Sequence, residues 1–114
     1  MSLHHAVSGE LIDIRPLGPS LRDTASTALV RTEDLELMRM VLPAGKSVPE
    51  HHLAGGLTIQ CIEGTVELQA QEKLLVLQSG RMVYLAGDVP YALRALEDAS
   101  LLVTILRKPQ DATT

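Results

Sequence analysis

Two adjacent histidines, His51 and His52, stand in the stretch PEHHLAGGLTIQCIEG, and imidazole suits both divalent metals and acid–base chemistry. Neighbouring residues of an undistorted strand point to opposite sides, so this pair alone is a poor metal site. The Gly55-Gly56 pair could support a bulge that shifts the register and brings His52 inward. The side chains that would then converge on a metal are His51, His52, Tyr91 and either Gln60 or Glu50.

Each of these residues also has a simpler interpretation. His51 can be a hydrogen-bonded interior histidine, with His52 in solvent. Tyr91 can be a wall residue whose hydroxyl finds a partner, in place of a catalytic acid or a ligand. Cys61 is better explained as a small buried hydrophobic residue than as a nucleophile. The histidine pair therefore leaves two possibilities open, a metal enzyme or a binding module.

Length and composition indicate one domain and exclude some partners. The chain has 114 residues, of which 46% are hydrophobic, enough for a single core. It has no Trp or Phe and two Tyr, so stacking on nucleic-acid bases is nearly excluded. The formal net charge is −4 and the basic residues are scattered, which argues against nucleic acid and against anionic membranes.

Cysteine content and terminal sequence favour a cytoplasmic protein. Cys61 is the single cysteine, so no intramolecular disulfide can form, as suits a reducing compartment. The N-terminus carries His4, His5 and Glu10 where a signal peptide would need a basic start and an apolar stretch. The longest apolar runs are far too short to span a membrane.

Short apolar or alternating segments separated by Gly, Pro, Asp and Ser predict an all-β sandwich or barrel. Glu63-Gly64 is a predicted hairpin turn and Gln71-Glu72-Lys73 is a second predicted turn. Residues 1–10 and 108–114 are predicted to be flexible ends. The segment 33–42 has helix-favouring Leu and Met, but its alternation and the following Pro43 predict a strand. The other predicted strands are 11–14, 28–31, 57–62, 66–69, 74–77, 82–85 and 101–106.

The spacing of glycines and of one histidine resembles the first motif of small single-domain cupins, the RmlC-like jelly-roll family. That motif runs Gly, five residues, His, one residue, His, three or four residues, Glu, six residues, Gly. Gly45, His51 and Gly64 are in register, whereas Leu53 and Leu57 stand at the other two ligand positions.

The sequence resembles the second cupin motif more loosely. That motif runs Gly, five residues, Pro, one residue, Gly, two residues, His. Gly80 begins it, Ala86 stands where Pro is expected, and Gly87 is one place early. Tyr91 stands where the His is expected. The resemblance covers roughly residues 35–106 and implies that 1–114 is one cupin domain, a double-stranded β-helix barrel.

The resemblance implies a divalent metal, often iron, manganese, nickel or zinc, held by three His and one Glu for oxygenase, isomerase or decarboxylase chemistry. In strict register only His51 of those four ligands is present, which is a poor metal site. Strand parity puts Leu57, Ile59 and Cys61 inside the barrel and Gln60 outside. The cofactor is therefore left unassigned. A metal would need the shifted register at Gly55-Gly56, and its ligands would then be His51, His52 and Gln60.

The leading hypothesis is a non-catalytic module that binds or senses a small organic molecule. Its polar contacts would be His51 and Tyr91, and its apolar lining would be Leu53, Leu57, Ile59 and Leu93. The alternative is a metal-dependent oxygenase or isomerase that uses a rearranged site of His51, His52 and Tyr91. A third possibility is a structural or regulatory subunit without a ligand, whose barrel would be filled.

Assembly is predicted from the resemblance and from one N-terminal segment. Small cupins commonly dimerise by packing sheets or by exchanging an N-terminal strand, which implies a homodimer here. Leu11, Ile12 and Ile14 form an apolar segment, set apart by Pro16 and Gly18, that could add to the edge of a partner's sheet.

Overall fold

The computed structural model describes residues 4–107, which form nine strands and one short 3₁₀ helix, Gly18–Asp23. The strands are β1 Thr27–Arg31, β2 Leu35–Leu42, β3 Ser47–His51, β4 Leu57–Glu63, β5 Thr65–Ala70, β6 Lys73–Gln78, β7 Met82–Leu85, β8 Tyr91–Ala95 and β9 Ala99–Leu106.

The strands make two antiparallel sheets with jelly-roll connections. The five-stranded sheet has the order β1-β2-β9-β4-β7, and the four-stranded sheet has the order β3-β8-β5-β6. Consecutive strands β2 and β3, or β8 and β9, belong to different sheets, so the chain crosses between the layers. The predicted all-β class is confirmed.

The core lies between the two sheets and follows the two-residue period of the strands. In β4, Leu57, Ile59 and Cys61 are buried, while Thr58 and Gln60 are half-exposed on the outer face. The parity predicted for this strand is therefore confirmed. The buried residues of the other strands that join this cluster are Leu42, Val66, Leu68, Ala70, Leu77, Leu85, Tyr91, Leu93, Ala95, Ala99, Leu101 and Val103.

Most predicted strands are present, including the uncertain one at 33–42, which is β2. Two strands were not predicted by periodicity: β3, where Pro49 and Glu50 hide the alternation, and β8. The predicted strand at 11–14 is wrong, because this segment has no regular structure in the chain. It finds no partner strand within residues 4–107, and Leu11 is 96% exposed.

Both predicted turns are present with a left-handed backbone, and Gln71-Glu72 closes a hairpin. The hairpin predicted at Glu63-Gly64 is wrong, because this turn carries the chain from the five-stranded sheet to the four-stranded sheet. Gly64 joins β4 to β5 with φ 84°, and a side chain there would overlap the backbone of Asp98 and Ala99. Gln71 and Glu72 join β5 to β6 with φ 53° and 63°. Two positive φ values in a two-residue loop are typical of a type I′ turn, which matches the twist of the flanking strands.

The N-terminal arm, residues 4–26, runs along the outside of the five-stranded sheet. The Ala6 N–H donates to the Leu29 carbonyl of β1 at 2.8 Å, and the Arg39 guanidinium donates to the Asp13 carbonyl. Leu21 of the 3₁₀ helix is buried. The predicted flexible end 108–114 lies outside the described residues, and the described part of the segment 1–10 makes the contact at Ala6.

No helix within residues 4–107 is long and apolar enough to cross a membrane.

Candidate functional site

His51 ends strand β3 at the point where it pairs with the first residue of β8, Tyr91. The centroids of the two rings are 4.5 Å apart, with 50° between the ring planes. The structure therefore brings together the two polar residues that the sequence singled out. The register of β3 shifts between Val48 and His51, which places His51 opposite Tyr91.

The hydrogen bond of the His51 ring defines its neutral tautomer. Nδ1 lies 3.1 Å from the carbonyl oxygen of Pro49. A carbonyl oxygen only accepts hydrogen bonds, so Nδ1 must carry the proton and donate. In the neutral ring Nε2 then keeps its lone pair. His51 is half-buried, and its Nε2 is available to accept a hydrogen bond from a ligand.

Tyr91 is part of the core, with 2% of its surface exposed. Burial raises the pKa of its phenol, because the charged phenolate would lose solvation. The hydroxyl therefore stays protonated near neutral pH. A neutral phenol is a weak metal ligand, so Tyr91 does not replace the imidazole expected at this position in a metal site.

The apolar residues predicted to line the site are packed into the barrel. Leu57, Ile59 and Leu93 are buried members of the core cluster, and Leu53 is half-buried against it. Each of the ligand positions at 53 and 57 therefore presents a hydrocarbon side chain where a cupin metal centre would need a nitrogen or oxygen donor.

The remaining metal candidates do not come together. His52 is exposed, and Gln60 lies on the outer face of β4, paired with Met82 and Leu102. His51 contacts the buried Tyr91, so Gln60 and His51 lie on opposite sides of the five-stranded sheet. Residues 4–107 contain no group of three His, Cys, Asp or Glu side chains that could hold a metal ion. The donor set described here does not fit a cupin metal centre.

The loop after β7, which spans the loosely matching second motif, packs against the β3–β4 loop. A side chain at Gly87 would overlap the carbonyl of Ala54, so this loop needs glycine where it touches the β3–β4 loop. The Asp88 N–H donates to the Leu53 carbonyl at 2.7 Å. Asp88 has φ 66°, so an aspartate adopts the left-handed conformation at the position where the motif expects glycine.

A surface depression of about 550 Å³ lies beside these two loops. It contains neither His51 nor Tyr91, and so it is separate from the paired rings. Its lining residues are Asp34, Ala54, Gly55, Gly56, Gly87, Asp88, Leu106 and Arg107.

Cys61 lies inside the barrel with no exposed surface. Its thiol donates to the carbonyls of Glu63 at 3.3 Å and Gly64 at 3.4 Å. Burial raises the pKa of the thiol, which keeps it in the unreactive protonated form. This geometry supports a small buried residue over a nucleophile.

Glu63 has a structural role that sequence reasoning missed, because only a turn function was expected for it. Its carboxylate accepts hydrogen bonds from the N–H groups of Leu17 at 2.7 Å and Gly18 at 3.1 Å, and from the Ser100 hydroxyl at 2.7 Å. Partial burial alone would raise the pKa of Glu63, but these bonds and the charge of Arg39 hold it below its usual value. No local sequence signal marks contacts between residues so far apart in the chain.

Solved structures place this architecture among the cupins. A conserved SPY1581 protein of unknown function from Streptococcus pyogenes is 19% identical with a TM-score of 0.73, over 96% of this chain and 97% of that one. A cupin superfamily protein from Desulfitobacterium hafniense is 17% identical with a TM-score of 0.74, over 86% and 95%. An RmlC-like cupin from Shewanella frigidimarina is 17% identical with a TM-score of 0.70, over 98% and 97%.

These likenesses show the fold, a small RmlC-like cupin domain, and so confirm the fold that the motif spacing implies. No family model and no curated protein sequence matches the chain. The cupin fold carries many unrelated activities, so it does not by itself assign one.

Proposed function

We propose that this chain, a small protein with the cupin fold, binds or senses a small organic molecule and does not catalyse metal-dependent chemistry. The observation that carries the proposal is the set of side chains at the four metal positions of the fold. His51 is accompanied there by Leu53, Leu57 and Tyr91, of which the two leucines cannot ligate a metal. We also propose that the protein acts in the cytoplasm, where its single thiol would stay reduced.

The proposed ligand is mostly apolar and carries one hydrogen-bond donor. Half-buried His51 and Leu53 are accessible enough to make the first contacts. The Nε2 of His51 accepts from the donor group, and the hydrocarbon surface of Leu53 contacts the apolar body. Deeper contact with Tyr91, Leu57, Ile59 or Leu93 requires these packed side chains to move, because they are buried.

Metal content is the first test of this proposal. The untagged protein is incubated with iron, manganese, nickel and zinc in turn, freed of excess metal, and analysed for bound metal. We expect no stoichiometric metal, or metal that is lost when residues 1–6, with His4 and His5, are removed. Near one metal per chain, lost only in a His51→Ala, His52→Ala double variant, would establish the metal-dependent alternative.

Ligand binding is the second test. Ligand-observed NMR is recorded with a set of small apolar alcohols, amides and phenols, using wild type, His51→Ala and His52→Ala. The exposed His52 provides a matched control one residue away. We expect binding to weaken by about tenfold in His51→Ala, the loss of one hydrogen bond, and to be unchanged in His52→Ala. Absence of binding to folded wild type would favour a structural subunit with a filled barrel.

A further inference from the structure

Strand β6, Lys73–Gln78, is an apolar strand with one unpaired edge. It lies at the end of the four-stranded sheet and, within residues 4–107, pairs only with β5. Its inward residues, Leu75 and Leu77, pack toward the core. Its outward residues are also apolar, and Leu74 is 62% exposed and Val76 50% exposed. An edge of this composition is a ready template for another strand.

The other edges of the two sheets are protected within residues 4–107, whereas the protection on β6 is limited to the charge of Lys73 at its first position. Strand β3 has Pro49 and a register shift between Val48 and His51. Strand β7 is only four residues long. Strand β1 has a register shift and receives the hydrogen bond from the Ala6 N–H. Strand β6 keeps regular register with β5 throughout and contains no proline.

The turn before β6 decides which backbone groups face the open edge. In a hairpin with a two-residue loop, the residues that flank the loop form a hydrogen-bonded pair. Ala70 and Lys73 flank Gln71-Glu72, so they form that pair. Because hydrogen-bonded and non-hydrogen-bonded pairs alternate, Lys73, Leu75 and Leu77 bond to β5. The N–H and C=O groups of Leu74 and Val76 therefore point away from the sheet.

We propose that β6 pairs with β6 of a second copy of this chain, antiparallel and about a twofold axis at Leu75. Leu74 then lies opposite the Val76 of the second copy, and Val76 opposite its Leu74. Leu74 and Val76 both have backbone groups that point to the open edge, so both pairs are hydrogen-bonded. The two four-stranded sheets become one continuous sheet, and an isologous contact of this kind closes at two copies.

The side chains favour this self-pairing. Opposite residues in an antiparallel pair lie on the same face, so exposed Leu74 and Val76 pack against each other across the axis. On the inner face, Leu75 meets its own copy and Lys73 meets Leu77. No like charges face each other along β6 in this register, and the one charged residue, Lys73, lies at the end of the contact.

A proline at position 76 tests the pairing selectively. Val76→Pro removes an N–H that points to the open edge and leaves the bonds between β5 and β6 intact. Val76→Thr, which keeps the N–H and the β-branched shape, is the matched control. By size-exclusion chromatography with light scattering at micromolar concentration, we expect a dimer for wild type and Val76→Thr and a monomer for Val76→Pro. Far-UV circular dichroism checks the fold of each variant.

A second variant keeps the test decisive if Val76→Pro misfolds. Leu74→Lys places a charge at the open edge without changing the backbone, and we expect it also to be monomeric. A monomeric wild type overturns the proposal, and so does a dimer that persists in both variants. Loss of the dimer in Tyr84→Asp alone would instead place the contact on the outer face of the five-stranded sheet, where Tyr84 is exposed.

Discussion

Tyr91 occupies the position at which the cupin motif expects a metal-binding imidazole. Its ring fills the space beside His51 and joins the core, so the barrel wall stays closed. Because burial raises the pKa of the phenol, the residue adds no negative charge near His51 at neutral pH. The chemistry of this position is therefore that of an apolar surface with a neutral hydroxyl.

Restoring the family's ligands at positions 53, 57 and 91 should create a metal site, because these positions surround His51 in the cupin register. We predict that a Leu53→His, Leu57→Glu, Tyr91→His triple variant binds about one zinc or manganese ion per chain, since His51 supplies the remaining ligand. Elemental analysis after removal of excess metal measures the stoichiometry. Zinc should also raise the thermal midpoint of the variant, because metal binding stabilises the folded state.

The matched control carries Thr58→Glu in place of Leu57→Glu. Thr58 is on the outer face of β4, so its carboxylate would point away from the imidazoles. Equal metal content in the control and the triple variant would contradict the assigned register. A triple variant that folds but binds no metal would also contradict the assigned register.

The carboxylate of Glu63, at the end of β4, is one of the groups that hold the N-terminal arm to the barrel. Glu63 bonds the backbone of Leu17 and Gly18 on the arm and the hydroxyl of Ser100 on β9. Asp98 acts similarly, accepting from the Ala44 N–H at 2.8 Å and from Arg22 at 3.0 Å. Elements distant in the sequence are thus joined by two acidic residues, each next to a connection between the two sheets.

Glu63→Gln should destabilise the protein by about 1.5–3 kcal/mol, the range for hydrogen bonds to a charged group. The pKa of Glu63 is lower in the folded state than in the unfolded one. Its stabilisation is therefore complete above the unfolded pKa of about 4.3 and is lost as pH falls through the folded value. Urea unfolding measured between acidic and neutral pH should show that the free energy of unfolding falls less on acidification in Glu63→Gln than in wild type.

Glu67→Gln is the matched control, because Glu67 lies on β5 and makes no side-chain hydrogen bond among residues 4–107. We expect the free energy of unfolding of the Glu67→Gln variant to change with pH as it does in wild type. An equal loss of stability in both variants would show that Glu63 does not anchor the arm.

The sequence predicted the strands in which buried and exposed residues alternate, such as β4 and β7. In such a strand the alternation of apolar and polar residues is visible in the sequence itself. It did not predict β3, where Pro49 interrupts an edge strand. It also assigned a strand to Leu11–Ile14, since apolar residues alone cannot show that a partner strand is missing. In the site, motif spacing found the pairing of His51 with Tyr91, whereas the contacts of Glu63 depend on tertiary structure.

At the scale of the whole molecule, the barrel is closed by strands from distant parts of the chain. Strand β2 pairs with β9 and β3 pairs with β8, so the first and last parts of the jelly roll lie side by side. Such non-local pairing makes folding slow, because long loops must close before the contacts form. We expect that the core cannot assemble until β9 is present.

Because Cys61 is buried in the barrel, the reactivity of its thiol measures how often the barrel opens. A thiol with no exposed surface reacts with a reagent such as Ellman's only when the sheets separate. We predict modification at least about a thousandfold slower than for the urea-unfolded chain, in proportion to the rare open population. Fast modification of folded protein would contradict the closed barrel. Because the chain has no other cysteine, each molecule that opens is modified at one thiol, and the modified fraction can be counted directly.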